Sequence, residues 1–290
     1  MTELDLRVAV LGLGALGSAV TGALCDAGQP VTVWNRSAGR ADPLVARGAV
    51  AAATPAQAVA AAGVVVVAVA DEDAVRDVLD PAAADLADRV LVTLTSGTPD
   101  QARTLATWAG RHGAAHLDAA AMTGTRPVGR PEALFLYSGP RAAFTAVEPL
   151  LNRLGRAAYL GTDPGAASTY DTALLGVNLG LLTGFYHALA LLRTAGVSAA
   201  DAADVVIRYL PFAVDLLPGH AQQVEQGAYP PDEGTLEVLA AAVDHLTATS
   251  AAAGIGTDVP TAFRALLDRG LATGRGQDGL PSLVDVIAGR

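Results

Sequence analysis

Six residues, Gly12-Leu13-Gly14-Ala15-Leu16-Gly17, constrain the fold more than any other part of this chain. With 31 glycines present, this spacing can arise by chance, so its meaning comes from its flanks. An apolar run at 6–11 reads as a strand. Residues 15–27 read as a helix ended by Gly28, and 31–35 supply a second strand at the right distance. In that setting Gly12 permits a tight turn, Gly14 lets a pyrophosphate approach the backbone, and Gly17 lets helix and strand pack closely. The helix amino terminus then faces the phosphate charge. This unit predicts a dinucleotide-binding Rossmann domain.

The end of the second strand bears on which dinucleotide. A carboxylate there would hold the ribose 2′-hydroxyl of NAD. The chain instead reads Trp34-Asn35-Arg36-Ser37, with Arg40 beyond. Two arginines and a hydroxyl suit a 2′-phosphate through charge-assisted hydrogen bonds, which predicts NADP(H). The competing reading is that Arg36 and Arg40 form an ordinary solvated face. Ala70, closing a later strand, completes the predicted cofactor set with Asn35, Ser37 and the glycine turn.

Further strands are expected at 49–52, 63–70, 90–95, 115–119, 134–137 and 157–160, and a helix at 99–112. β-Branched runs without alternation suggest strands buried on both faces of a doubly wound parallel sheet. After Gly161 no strand is expected. A helical pattern begins at Asp163, a candidate N-cap before Pro164, and runs to about 195, where Gly196 stops it. About thirty helical residues span roughly 45 Å. This helix is apolar on most faces, and the residues that follow are few to cover it, so a second copy of the chain is the expected cover. Shorter helices are expected at 198–210, 218–226, 234–253, 258–272 and 282–287. The predicted architecture is an α/β Rossmann domain over 1–162 and an all-α domain over 163–290, joined by a long interdomain helix, in a homodimer.

Composition removes several functions. A net charge of −10 offers nothing to a nucleic-acid backbone. The single cysteine, Cys25, excludes an intramolecular disulfide and reads as a small buried side chain. All 19 basic residues are arginine, so Schiff-base and Walker-type lysine chemistry is excluded. No histidine or acid spacing suggests a metal. His112 and His116, flanking a strand start, are expected at the surface; His187 and His245 are expected in a core or interface. The most apolar stretch, 58–70, is shorter than the about 20 residues a bilayer needs. With a strand pattern close behind Met1, the expectation is a cytoplasmic protein without membrane contact.

The chain resembles the imine reductases, within the 6-phosphogluconate and β-hydroxyacid dehydrogenase superfamily. The segments that carry the resemblance are GLGALG (12–17), VWNRS (33–37), LTSGTP (94–99), LYSGP (136–140), GTDPGAASTYDTALL (161–175), HALAL (187–191) and GRGQDGLPSLVDVI (274–287). It implies a helical domain exchanged between two subunits and reduction of cyclic imines with NADPH. It also implies that Ser96 lies near the nicotinamide or its ribose and that Met122 and Leu175 line a substrate pocket.

Aligning Gly165 with the first glycine of the dehydrogenases' GxGxxxK segment places Asp171 at their lysine. Their asparagine becomes Leu174, and the serine of their substrate-carboxylate segment becomes Met122. These changes agree chemically. Carbonyl chemistry develops negative charge on oxygen, which a lysine stabilises; a C=N bond is reduced as a cation, which a carboxylate stabilises. Asp171 is therefore the candidate proton donor or iminium partner. Tyr170 is the alternative donor, although a helix turns about 100° per residue, so the two cannot both point squarely into one pocket. A plain surface role for Asp171 leaves the missing lysine unexplained. Asn178, seven residues on, shares nearly the same helix face; it can bond a substrate heteroatom or a partner helix, and both readings stay open. The competing functions are a β-hydroxyacid or aldehyde reductase and a non-catalytic NADP-binding protein.

Overall fold

The computed structural model describes residues 5–290. It divides into two compact units, one running through Gly176 and the other covering Val177–Arg290. The first unit is built on a sheet of eight strands. They are β1 (Val8–Leu11), β2 (Val31–Trp34), β3 (Val50–Ala51), β4 (Val64–Val67), β5 (Val90–Thr93), β6 (Ala115–Ala121), β7 (Leu134–Ser138) and β8 (Arg156–Tyr159). Their spatial order is β3-β2-β1-β4-β5-β6-β7-β8.

The valine runs explain why this sheet needs two helical layers. Alternate residues of a strand point to opposite faces. Val8, Val10, Val64, Val66, Val90 and Val92 join one core cluster, and Ala9, Leu11, Val65, Val67 and Leu91 join the other. The first face is closed by α1 (Ala15–Asp26), through Val20 and Leu24, and by α6 (Arg141–Leu151), through Phe144 and Val147. The second is closed by α3 (Pro55–Ala60), α4 (Glu72–Leu79) and α5 (Pro99–Arg111), through Val59, Val75, Leu79 and Leu105. A short α2 (Asp42–Val45) sits between β2 and β3. Local signals set the boundaries: Thr98 and Gln101 form a reciprocal capping box at the start of α5, with Pro99 behind the cap.

The sheet departs from the wholly parallel arrangement that the strand pattern predicts. β6 and β7 pair antiparallel, with Asp118 opposite Ser138. Residues 122–133 between them contain no helix. Without a crossover element the chain turns back beside the strand it has left, and only β7–α6–β8 restores a parallel pair.

The long helix α7 (Ala166–Thr194) spans the boundary between the units, followed by α8 (Ala199–Gln226), α9 (Leu236–Ala252), α10 (Asp258–Ala272) and α11 (Leu283–Ile287). Two expectations are corrected here. Asp163 does not cap α7, which begins three residues later on supports described below. The helices predicted at 198–210 and 218–226 are one helix, with Pro211 and Pro218 inside it. Each proline removes a single hydrogen bond, and the turns on both sides restart it; seven residues apart, the two defects fall on nearly the same face. Within the second unit, α9 and α10 pack through Leu236, Ala240 and Leu267. A Cβ on Gly270 would lie 2.7 Å from Leu236 Cδ1, so the glycine sets how closely these helices approach.

Candidate active site

The glycine turn is built as its spacing requires. Gly12 has φ +96°, and a Cβ there would fall 2.4 Å from the Ala68 carbonyl oxygen. A Cβ on Gly17 would fall 1.9 Å from the Gly12 carbonyl oxygen. Gly14 differs: nothing lies within 4 Å of the position its Cβ would take. It is the N-cap of α1, with no side chain capping the helix and no acid in the first turn. The amide groups at this helix end are therefore open to an external anion. Gly12, Gly14, Ala15 and Leu16 line a cleft of about 680 Å³, which is the size of a cofactor site.

Two motif residues do not reach that cleft. Gly17 serves helix packing, and Leu13 is buried in the core. The Leu13 N–H donates to Asn35 Oδ1 at 2.9 Å, and its carbonyl accepts from Ser18 Oγ at 3.1 Å and Arg40 Nη1 at 3.2 Å. Asn35 and Arg40 thus brace the turn as well as lining the cleft. Asn35 Nδ2 also donates to the Ser37 carbonyl at 3.0 Å, fixing the β2 exit. Arg36 is exposed and enters no ion pair among the described residues, so its guanidinium is free for an anion. Ala70, Trp34 and Ser37 line the same cleft, as does Asp77. An open helix end, a cradle that a Cβ would fill and two arginines at the β2 exit fit a phosphorylated dinucleotide.

The foot of α7 is held by strand residues rather than by its own cap. Ser138 Oγ accepts from the Ala167 N–H at 2.9 Å and donates to the Pro164 carbonyl at 3.0 Å. Asp118 Oδ2 accepts from the Ser168 N–H at 3.0 Å and from Ser168 Oγ at 2.7 Å. Asp163 accepts from the Gly165 N–H at 3.1 Å and from Arg103 Nε and Nη2 at 2.9 and 2.8 Å, a bidentate pair. A Cβ on Gly165 would lie 2.8 Å from the Pro99 carbonyl oxygen, so glycine is what lets the foot of α7 meet the start of α5.

Asp118 is the buried acid of this region, and its role at the α7 foot is missed by sequence reasoning. Burial pushes its carboxyl up to about 6, against the opposing pull of the Ser168 hydrogen bonds and with a further rise from Asp171. The only advance signal is an acid inside an otherwise apolar strand. His116, two residues earlier, is not at the surface as expected. It is 2% exposed, its Nε2 lies 2.8 Å from Thr93 Oγ1, and burial lowers its pKa to about 4. His112 is half-buried and packs on Trp108.

The Asp118 shift has a stability consequence. Its folded-state pKa lies above the unfolded value, so the fold gains stability as pH drops through 6 and the folded chain takes up a proton first. Asp118→Asn keeps an oxygen for both Ser168 donors and removes the charge. The variant should exceed wild type by on the order of 1–3 kcal/mol above pH 7, with the advantage fading toward pH 4. Melting curves of both proteins across that range check this; a difference independent of pH refutes it.

Asp171 and Tyr170 emerge from the first turns of α7. Asp171 is half-buried and within electrostatic reach of Asp118, whereas Tyr170 is 51% exposed. Ser96 does not line the cofactor cleft; it lines a small recess with Thr95, Asp118 and Ser168. Met122 is half-buried against Ala120, Leu136 and Ala167. Leu175 is 55% exposed, and Asn178 is exposed and lies in the second unit. There, His187 Nε2 lies 3.0 Å from Ser250 Oγ, and the exposed His245 is not a core residue of the single chain. Cys25 is half-buried rather than buried, and burial raises its pKa. No cluster of potential metal ligands occurs among the described residues.

Residues 163–289 match the family model described as the NADPH-dependent reductive aminase-like C-terminal domain, and residues 7–161 match the NAD binding domain of 6-phosphogluconate dehydrogenase. The chain is 32% identical over 283 residues to an NADPH-dependent reductive aminase of Aspergillus oryzae, covering 96% of each. It superposes with TM-score 0.92 and 36% identity on a reductive aminase from Aspergillus terreus in complex with NADPH4, cyclohexanone and allyl amine, covering 98% of this chain and 99% of that one. An imine reductase of Streptomyces aurantiacus gives TM-score 0.93 and 35% identity, with coverage of 97% and 99%.

Proposed function

The chain belongs to the family of NADPH-dependent reductive aminases and imine reductases, and from that premise we propose that it reduces C=N bonds of cyclic imines and iminium ions to amines. The observation that carries this reading is Asp171, a carboxylate presented from the tethered foot of α7 in a chain with no lysine. NADPH, when bound, supplies the hydride. Gly12, Gly14, Ala15 and Leu16 would hold its pyrophosphate through the backbone, and Arg36, Ser37 and Arg40 its 2′-phosphate. Asn35 and Ala70 shape the same cleft, and Ser96, outside it in the recess with Asp118 and Ser168, would border the nicotinamide end. Asp171 stabilises the cationic nitrogen and holds or delivers its proton, with Tyr170 as the alternative donor. Met122, Leu175 and Asn178 are the proposed substrate contacts.

A second reading concerns where the imine comes from. The Aspergillus terreus relative is described with a ketone and an amine together. A ketone and an amine lose water to give the C=N bond that is then reduced, so the chain would also carry out reductive amination. NADPH oxidation followed at 340 nm tests both, first with a panel of cyclic imines and then with cyclohexanone plus allyl amine. Turnover is expected with the first set; NADPH oxidation only with small aldehydes, or NADP⁺ reduction only with 3-hydroxy acids, would replace the reading with that of a carbonyl reductase.

We further propose that the working molecule is a cytoplasmic homodimer in which residues 163–290 cover a partner. In the single chain only Ala167 and Ser168 of α7 are buried, although its 18-residue apolar window has mean hydropathy 1.5. By length and composition this helix could cross a membrane, which the apolar stretch at 58–70 could not. Asn178, Thr183 and the Ser250-bonded His187 interrupt its apolar surface, which suits a protein partner better than lipid. On α8, Ile207, Tyr209, Val214 and Leu217 are each at least 58% exposed and call for the same cover. The enzyme used in the assay should sediment at twice the chain mass without detergent; a stable monomer would remove the exchanged-dimer proposal.

A further inference from the structure

An open concavity of about 870 Å³ in the first unit shares no residue with the cofactor cleft and takes no part in the chemistry above. Four of the chain's 19 arginines line it: Arg126, Arg130, Arg153 and Arg156. They sit on two turns of similar design, R-P-V-G-R at 126–130 and R-L-G-R at 153–156, each with a glycine before the last arginine. Both glycines have positive φ, +88° at Gly129 and +150° at Gly155. A Cβ would meet Ala23 Cβ at 2.9 Å in the first and the Ala133 carbonyl oxygen at 2.6 Å in the second. The turns are joined by the Gly129 N–H donating to the Leu154 carbonyl at 2.8 Å, and Arg156 N–H donates to the Ala133 carbonyl at 2.7 Å. The arginine backbones are thus held on a rigid frame.

The charges on that frame are unspent. None of the four arginines enters an ion pair among the described residues, and only Arg153 has a side-chain hydrogen bond, from Nη1 to the Ala27 carbonyl at 2.9 Å. Asp26, the one acid in the lining, is engaged by Arg47 at 2.5 Å. Asn152 adds an amide whose oxygen already accepts from the Ala157 N–H at 3.3 Å, leaving its NH₂ to donate. Four exposed arginines lining one concavity of a chain with net charge −10 oppose the global balance and give that surface a local positive field.

We propose that this cleft binds a small polyphosphate anion, pyrophosphate or the phosphate chain of a nucleotide, at a site separate from the NADPH cleft. Planar guanidinium groups bond phosphate oxygens in pairs, and several around one cavity match an anion of about three to four charges better than a lone carboxylate. The volume lies in the range of small-ligand sites, which favours a compact ion over an extended acidic peptide.

Isothermal titration calorimetry on the full chain, saturated with NADP⁺ to block the cofactor cleft, tests this with sodium pyrophosphate and with ATP. Sulfate at matched ionic strength is the control. Wild type should bind pyrophosphate or ATP with a Kd below about 1 mM, and Arg130→Ala/Arg156→Ala should weaken it at least about tenfold. Imine turnover and NADPH affinity should not change. Arg126→Gln/Arg130→Gln, which retains polar side chains of similar reach, should show the same loss if the double alanine variant folds poorly. Equal affinity for ATP and pyrophosphate would assign recognition to the phosphates alone, and tighter ATP binding would add the nucleoside; either supports the site. No binding by about 10 mM, sulfate binding as well as pyrophosphate, or variants that bind like wild type would overturn it.

Discussion

Asp171→Asn should lower turnover on a cyclic imine at least ~30-fold while leaving NADPH affinity unchanged, a loss of about 2 kcal/mol of transition-state stabilisation. The substitution preserves shape and removes one charge and one proton site. At an effective dielectric of about 20, a charge pair 4 Å apart is worth roughly 4 kcal/mol before desolvation, so losing half of that is a moderate expectation. The location supports a large effect. Asp171 stands three residues beyond Ser168, whose N–H and hydroxyl are both bound by Asp118, so its backbone is anchored to the sheet rather than to a free helix end. Asp118 feels the charge of Asp171, which places a second acid within reach of a bound cation. Tyr170→Phe is the paired control. With 51% of its surface exposed and a helical direction about 100° away, Tyr170 should cost only a few-fold when its hydroxyl is removed. If Asp171→Asn turns over like wild type and Tyr170→Phe does not, the proton donor is the tyrosine. NADPH titration of each variant separates lost chemistry from lost cofactor.

How much of this was legible in the sequence depends on whether the signal was local. The runs at Val64–Val67 and Val90–Thr93 were legible because strands covered on both faces must be apolar throughout. The glycine turn was legible because each glycine answers a steric demand within a few residues. Where pairing is distant, the reading fails. His116 reads as a polar residue at a strand start, and only its pairing with Thr93 of the neighbouring strand makes its burial tolerable. Asp163 reads as an N-cap because it precedes a proline and a helical run, but the open amides at the start of α7 go to Ser138 and Asp118 instead. Pro211 and Pro218 read as breaks because the cost of an internal proline is local, whereas the support that carries α8 through them is not. At the candidate site, the residue types at Arg36, Ser37 and Arg40 suggest a 2′-phosphate; that Arg40 also braces the Leu13 carbonyl follows only from the fold.

Gly14→Asp should raise the Kd for NADPH at least about 100-fold, or about 2.7 kcal/mol, without lowering the melting temperature. The opposed signs come from one geometry. Gly14 is the N-cap of α1 with φ −67° and ψ −168°, an extended conformation open to any residue, and no atom lies within 4 Å of its absent Cβ. An aspartate there is a favourable N-cap and lies at the positive end of the helix dipole, worth about 1 kcal/mol to the fold. It also takes the amide groups that a pyrophosphate needs. Its charge, about 5 Å from a phosphate at an effective dielectric of about 20, adds roughly 3 kcal/mol of repulsion. Gly17→Ala should behave in the opposite way. Its Cβ would sit 1.9 Å from the Gly12 carbonyl oxygen, so helix and turn must separate, and folding stability should drop by about 3 kcal/mol or more. Trp34 lines the cleft, so quenching of tryptophan fluorescence by NADPH reports binding, and thermal melts without cofactor report the fold. Wild-type affinity in Gly14→Asp would move the dinucleotide away from this turn. A stable Gly17→Ala would mean that α1 and β1 can part without cost, contrary to the packing that the glycine spacing imposes.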